Sequence, residues 1–253
     1  MPTTTPQARP GTATQRPPRT SLRGAVAGPA VELCGMAWLT AVLLIDAEAG
    51  AWTQRGLGLV TWAVLLLVLW RESALVRVQT AVVVAFATAV EYTFSPWLEV
   101  YVYRLDNVPL YVPPGHGLVY LAALALGRAG WVQARRRLLA VAVTVVGAAW
   151  AAHGLWWAER PDALGAFWFC CLAAFLAWGP SPGLYIGAFA VVSYLEILGT
   201  ALGIWTWQPV GPTGSISIGN PPSGAAGGYA WFDLAALLLA PRLLACLARL
   251  RSR

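Results

Sequence analysis

Charge is scarce in this sequence. Only 11% of its 253 residues are Asp, Glu, Lys or Arg, whereas 58% are hydrophobic. Lysine is absent, so all 17 basic residues are arginines. Soluble proteins contain about 25% charged residues on average. The composition therefore excludes a soluble globular domain of any size.

Common metal-binding and catalytic motifs are also missing. No Gly-x-Ser-x-Gly or His-Glu-x-x-His sequence occurs. The loop 206–226 is rich in Gly and Pro, but it has no Lys and no strand-turn-helix context, which excludes a phosphate-binding fingerprint. The four cysteines lie in apolar runs without Cys-x-x-Cys or Cys/His spacing, which predicts neither disulfides nor zinc. The sequence indicates no metal and no cofactor. The four cysteines of the chain are Cys34, Cys170, Cys171 and Cys246.

Long apolar runs dominate what is present. The mean hydropathy is +0.62, the chain contains 14 Trp, and apolar stretches of about 15 to 22 residues recur, as in helical membrane proteins. The pattern predicts an all-α transmembrane bundle of about eight spans. These spans are residues 26–45, 56–70, 75–95, 114–130, 138–157, 164–178, 183–204 and 227–247.

The N-terminal segment differs from the rest of the chain. Residues 1–23 are rich in Pro, Thr and Arg and predict a disordered cytoplasmic tail, followed by an integral membrane domain over 24–253. A cleaved secretory signal is the alternative, because the first apolar run ends near the small-x-small pattern Ala47-Glu48-Ala49. The sequence leaves that choice open.

The arginines predict the orientation. With eight spans and a cytoplasmic N-terminus, 14 of the 17 arginines fall on the cytoplasmic side, which satisfies the positive-inside rule. Only Arg55, Arg104 and Arg160 fall outside. We therefore expect a multi-pass cell-membrane protein with both termini cytoplasmic. Its arginines would contact anionic membrane lipids and not nucleic acid; the oligomeric state is left open.

Three acids within or beside apolar runs are the strongest functional candidates: Glu91, Glu196 and Asp233. A carboxyl group in hydrocarbon costs several kcal/mol unless it is protonated, paired or facing a cavity. His116 begins a span at the same expected depth. We predict these four residues to be catalytic. The alternative is a structural hydrogen bond between helices for Glu91 and Glu196, contact with interfacial water for Asp233, and an interfacial position or a first-turn hydrogen bond for His116.

An internal repeat relates two of these acids. Glu91 is followed by Tyr101-Val-Tyr103, a Pro-Pro pair and a small-and-leucine helix, and Glu196 by Trp205-Thr-Trp207, another Pro-Pro pair and a similar helix. The order predicts two four-helix halves, approximately 24–130 and 138–247, related by an axis along the membrane normal. A ligand site would lie between them.

Aromatic residues crowd around the acids. Aromatic faces stabilise cationic centres as well as anchoring helices in membranes. The predicted substrate-binding residues are Tyr92, Tyr101, Tyr103, Trp205, Trp207, Tyr229 and Trp231.

The segment from Glu196 to Trp207 contains Glu-x-x-Gly-x-x-x-Gly, and Tyr229-Ala-Trp231 follows a Pro-containing loop. This arrangement resembles the multi-span carotenoid-synthesis membrane proteins that include carotenoid hydratases, although the family's Pro-Phe-Gly-x-Tyr run is replaced here by Ile-Trp-Thr-Trp. The last quarter of the chain carries the resemblance. A looser similarity is to small membrane lycopene and terpene cyclases. Both imply acid-initiated attack on an isoprenoid double bond.

These observations favour a membrane enzyme that hydrates or cyclises an alkene of a hydrophobic isoprenoid or carotenoid substrate. Burial would keep one carboxyl protonated as the donor, while the other would hold water or stabilise a cation. Parallel repeats with intramembrane acids are also typical of transporters and proton-coupled permeases. A non-catalytic accessory protein is the third possibility.

Overall fold

The protein is about 75% helical, which confirms the all-α class. The computed structural model describes the backbone of residues 29–251 and the side chains of 34–250. The predicted tail, residues 1–23, lies outside the described residues. In chain order the elements are α1 (Pro29–Asp46), α2 (Ala51–Trp70), α3 (Ala74–Tyr92), a π-helical turn (Thr93–Trp97), β1 (Tyr101–Tyr103), α4 (Val112–Arg128), α5 (Gly130–Ala134), α6 (Arg136–Trp156), α7 (Ala163–Trp178), α8 (Pro182–Ala201), β2 (Trp205–Trp207) and α9 (Ala225–Arg251).

Five of the helices within residues 29–251 are long and apolar enough to cross a membrane: α2, α3 with its π-helical turn, α6, α8 and α9. Shorter apolar helices cover Cys34–Asp46 and Ala163–Trp178. Large apolar side chains such as Leu67 and Trp70 of α2 are exposed along the bundle. A soluble monomer rarely exposes such surface, so these features support a membrane location.

Helices α4 and α8 form the centre of the bundle. Most side chains of α4 are buried, and α4 packs against α1, α2, α3 and α8. A side chain at Gly187 would meet the carbonyl oxygen of Ala123, and one at Gly127 would meet the backbone of Gly183. Small residues at these positions allow close backbone approach, as in other helical membrane proteins. Helix α9 packs against α3, α7 and α8, and α6 packs against α7 and α8.

One end of the bundle carries the β1–β2 ribbon and the connections 47–50, 98–111, 157–162 and 202–224; we call it the strand end. Arg104 donates hydrogen bonds to the carbonyl oxygens of Asp46 and Ala49, both at 2.5 Å. Arg160 donates from Nε to the carbonyl oxygen of Ile218, also at 2.5 Å. Arg104 thus joins the connection 98–111 to the end of α1 and the connection 47–50. Arg160 joins the connection 157–162 to the Gly/Pro-rich loop.

Candidate functional site

Glu91 lies in the last turn of α3, and the chain beyond it folds back over its carboxyl group. Pro96 lies in the π-helical turn, and because proline has no backbone N–H, it favours the end of regular helix there. Strand β1 then places Tyr101 and Tyr103 on one face, since alternate residues of a strand point the same way. Both hydroxyls donate to Glu91 Oε2 at 2.8 Å.

The tyrosines are suited to remain donors. Burial, followed by the charge of Glu91, raises the pKa of Tyr101 and of Tyr103 well above its usual value. Both phenols therefore stay protonated at neutral pH and remain hydrogen-bond donors to Glu91.

The other oxygen of Glu91 contacts His116 in the first turn of α4. His116 Nε2 lies 2.8 Å from Glu91 Oε1, while its Nδ1 is buried without a hydrogen-bond partner among the described residues. A neutral imidazole has one N–H donor, and of the two ring nitrogens only Nε2 has an acceptor within hydrogen-bonding distance among the described residues. The arrangement favours the tautomer in which Nε2–H donates to Glu91.

Glu196 lies near the end of α8 and receives two indole donors. Trp205 Nε1 and Trp207 Nε1 donate to Glu196 Oε2 at 3.0 and 3.1 Å. Within the described part of the chain, Oε1 has no hydrogen-bond donor from the protein. Glu196 thus has one oxygen held in place and one available to a ligand.

Two glycines explain the spacing between Glu196 and its tryptophans. The ring of Trp205 lies where a side chain at Gly199 would be. Gly203 has a φ of +68°, a left-handed conformation that glycine adopts readily and that ends many helices. The Glu-x-x-Gly-x-x-x-Gly segment therefore turns the chain from α8 into β2 and makes room for the indole over the helix.

Strands β1 and β2 join the two acid sites. They pair antiparallel, with Tyr101 opposite Trp207 and Tyr103 opposite Trp205. The ring centroids of Tyr101 and Trp207 are 4.5 Å apart, and those of Tyr103 and Trp205 are 6.2 Å apart. One ribbon face thus supplies all four aromatic donors to the two carboxyl groups.

Both acids line one cavity of about 260 Å³. Its walls are mainly aromatic and aliphatic, and its polar groups include the two carboxyls, His116, the ribbon donors, Tyr111 and Tyr229. His116 stacks on Tyr229 with ring centroids 5.1 Å apart. The residues predicted from the sequence that line the cavity are Glu91, Glu196, His116, Tyr101, Tyr103, Trp205, Trp207, Tyr229 and Trp231.

Two predicted site residues lie elsewhere. Tyr92 is 55% exposed and does not line the cavity, because it is adjacent to Glu91 on a helix and therefore points to a different face. Asp233 is buried, with 4% exposure, but it lines a smaller neighbouring cavity. It is one turn beyond Tyr229 on α9, and that rise takes it away from the two glutamates.

Sequence reasoning missed several wall residues. Trp168 of α7, Phe94, Phe86 and Phe232 also line the cavity. Each is one aromatic among many in an apolar run, so only the packing of the helices distinguishes it. Phe86 is 40% exposed and Trp231 48% exposed. These two residues mark places where the cavity wall reaches the surface of the bundle.

Two buried acids of the strand end were also missed. Asp46 accepts hydrogen bonds from Tyr111 at 2.8 Å and from Gln54 at 3.1 Å, and Arg104 lies 3.7 Å away. Asp162 accepts from the backbone N–H groups of three residues, at 2.7 to 2.9 Å: Gly165, Gly219 and Ser223. Neither acid lines the cavity; both fasten loops.

Comparisons with protein-family models, curated proteins and solved structures found no match. Inference of a function therefore depends on the chemistry of the site.

Proposed function

We propose that this protein is an integral membrane enzyme that hydrates or cyclises a terminal alkene of a long isoprenoid or carotenoid lipid by acid-initiated chemistry. The observation that carries the proposal is the pair of buried glutamates, held by different sets of donors, in one cavity with aromatic walls. A carboxylic acid can protonate an alkene, and aromatic faces stabilise the resulting cation.

The two acids have different hydrogen-bond partners, and we assign them different roles. Glu196 has a free oxygen, so a proton on Oε1 can point into the cavity, and the two indoles stabilise the carboxylate left after its transfer. Glu91 contacts three hydrogen-bonding groups, an arrangement suited to a proton acceptor. A carboxylate offers about four acceptor positions, so Glu91 can still bind one water.

In hydration, the Glu196 proton forms a C–H bond with the electron pair of the alkene and leaves a tertiary cation. The water held by Glu91 adds to that cation and gives a proton to Glu91. This proton returns to Glu196 before the next turnover, so the net reaction adds one water. In cyclisation, a second double bond attacks the cation and a C–H proton is lost to Glu91.

The cavity size supports binding of a chain end. Sites for drug-sized ligands have volumes of about 300–1,000 Å³, whereas this cavity has about 260 Å³. A long isoprenoid would place only its terminal units against the glutamates. The rest of the chain would leave beside Phe86 or Trp231, which are half-exposed on the surface of the bundle.

The proposal includes eight membrane crossings and two repeated halves, α1–α4 and α6–α9. In each half an acid near a helix end accepts hydrogen bonds from both aromatic residues of the following strand. The ribbon register, Tyr101 with Trp207 and Tyr103 with Trp205, is the register expected for a two-fold relation. The arginine distribution supports an outer location for the strand end.

Cysteine labelling tests this topology. In a variant without native cysteines, a membrane-impermeant maleimide added to intact cells should label Cys at Gly50, Leu105, Glu159 or Ser215. It should label Ala134→Cys only after the cells are opened. Labelling of that site in intact cells would contradict the topology.

The enzyme proposal is tested by expressing the protein in a bacterial host that makes an acyclic carotenoid. Hydration would give a pigment heavier by one water, and cyclisation an isomer of unchanged mass; the Glu196→Gln variant should give neither. Unchanged pigments, when the folded protein is present in the membrane, would contradict the proposal for that substrate class.

Transport is the second candidate, because buried Asp233 Oδ2 has no hydrogen-bond partner among the described residues and such intramembrane acids occur in proton-coupled carriers. Proton-dependent uptake into vesicles containing the purified protein would favour this alternative over the enzyme.

A further inference from the structure

A second cavity, of about 10 Å³, adjoins the main one. His116, Val119, Tyr229 and Phe232 line both cavities. The remaining walls of the small cavity come from α3, α4, α8 and α9, and its polar residues beyond the shared ones are Tyr120 and Asp233. It lies along α4 and α9 one turn farther from the strand end.

The polar atoms around this cavity are unpaired. His116 Nδ1, Tyr120 Oη and Asp233 Oδ2 are all buried without a hydrogen-bond partner among the described residues. Tyr185 Oη of α8 is unpaired as well and interacts electrostatically with Asp233, but it does not line the cavity. Buried polar groups in folded proteins are nearly always paired, either with protein or with ordered water.

The small cavity matches a single water in size and chemistry. A buried water needs a volume of about 10–15 Å³ and two to four polar partners, and it makes about three hydrogen bonds on average. Here it could donate to His116 Nδ1, donate to Asp233 Oδ2 and accept from the hydroxyl of Tyr120. All three orphaned atoms would then be satisfied together.

We propose that one buried water bridges Asp233 to Nδ1 of His116, and that Asp233 acts through this water as a positioning residue for His116. A water that donates to Nδ1 keeps the proton of the neutral imidazole on Nε2, where it donates to Glu91. The chain Asp233, water, His116, Glu91 therefore fixes the hydrogen bond from His116 to Glu91 in the main cavity. The inference rests on the proposed function only for what Glu91 does there.

Nuclear magnetic resonance of ¹⁵N-labelled histidine tests the bridge without any substrate. The sequence contains two histidines, and His153 is exposed, so His153→Gln leaves His116 as the only signal. In that background we expect a protonated Nε2 and an unprotonated Nδ1. Asp233→Asn should keep this pattern, because its carbonyl still accepts from the water. Asp233→Leu and Tyr120→Phe should each change the ¹⁵N signals of His116.

A high-resolution structure gives an independent readout. Density for one water should lie within hydrogen-bonding distance of Asp233 and His116, and it should be missing in the Asp233→Leu variant. Tyr92→Phe serves as the matched control for both measurements, because Tyr92 lies outside both cavities. Absence of the water, or unchanged His116 signals in both Asp233→Leu and Tyr120→Phe, would overturn the inference.

Product formation separates this inference from the proposed function. Loss of a group that orients a metal-bound histidine typically lowers activity by about 10- to 100-fold; we expect a loss of the same order in Asp233→Leu and recovery in Asp233→Asn. If Glu196→Gln abolishes product while Asp233→Leu alters neither product nor the His116 signals, the enzyme proposal stands and the bridge is wrong. If the signals change as expected but no variant affects product, the bridge stands without the proposed function.

Discussion

The sites around Glu91 and Glu196 use the same backbone arrangement with different chemistry. In each, a helix ends shortly after the acid and a three-residue strand returns two aromatic donors to one carboxyl oxygen. At Glu91 the donors are phenols, and His116 occupies the second oxygen. At Glu196 the donors are indoles, and the second oxygen is left for the cavity. The two sites thus differ in that both oxygens of Glu91 are occupied, whereas one oxygen of Glu196 is open to the cavity.

The residue three positions after each acid also differs between the two sites. It is Phe94 after Glu91 and Gly199 after Glu196. The Trp205 ring occupies the space over Gly199, whereas Phe94 contributes its own ring to the cavity wall. The larger donor in one half therefore requires a smaller residue beneath it.

The largest expected effect is on product formation. Glu196→Gln keeps the size and the acceptor for both indoles but removes the transferable proton, so we expect a loss of about 10² to 10⁴ in turnover, the usual contribution of general acid catalysis. Glu91→Gln should also lower turnover strongly, because it removes the anionic acceptor. Turnover of the detergent-solubilised variants is measured beside their thermal stability. Near wild-type turnover with lower melting in both would identify the carboxyls as structural hydrogen bonds between helices.

The next effect is on stability and should distinguish the two acids. Glu91→Gln introduces an amide N–H₂ among three donors, and leaving one of them unpaired costs about 1–3 kcal/mol. Glu196→Gln can keep its carbonyl on the indoles and point the amide into the cavity, so its free energy of unfolding should fall by less than about 1 kcal/mol. Denaturant unfolding measures both variants. Equal losses would show that the different donor sets do not matter.

A more local effect is expected at Gly199. Gly199→Ala places a methyl group against the Trp205 ring, and such overpacking typically costs about 1–3 kcal/mol, part of which repacking can relieve. The indole would shift from Glu196 while the Glu91 site stays intact. Tryptophan fluorescence and turnover should therefore change, and the His116 resonances should not. Perturbed His116 signals would mean that the ribbon transmits the change to the other half.

The smallest effect is expected at Tyr92. Its side chain is largely exposed and outside the cavity, so Tyr92→Phe should change the free energy of unfolding by no more than about 0.5 kcal/mol and leave turnover unchanged. A marked loss of turnover would place Tyr92 in the site after all and would extend the Glu91 region beyond the cavity.

The amino-acid sequence by itself determined the helical class, the apolar character of the bundle and most of the residues that meet in the cavity. These follow from local properties: the length of apolar runs, the cost of an acid within them, and the spacing from each acid to its aromatic pair. The sequence could select Glu91 and Glu196 because each is an acid within an apolar run. It could select the four ribbon aromatics because an aromatic pair follows each acid at a similar spacing.

Only the tertiary structure decided which of those residues face one another. Tyr92 and Asp233 satisfy the same local criteria as their neighbours, but the 100° rotation and 1.5 Å rise per helical residue carry them to another face or another depth. The partners of each carboxyl, the unpaired Nδ1 of His116 and the contribution of Trp168 to the wall depend on contacts between distant segments. The physical reason is that hydrogen bonding and cavity shape are properties of packed helices, which no single stretch of sequence specifies.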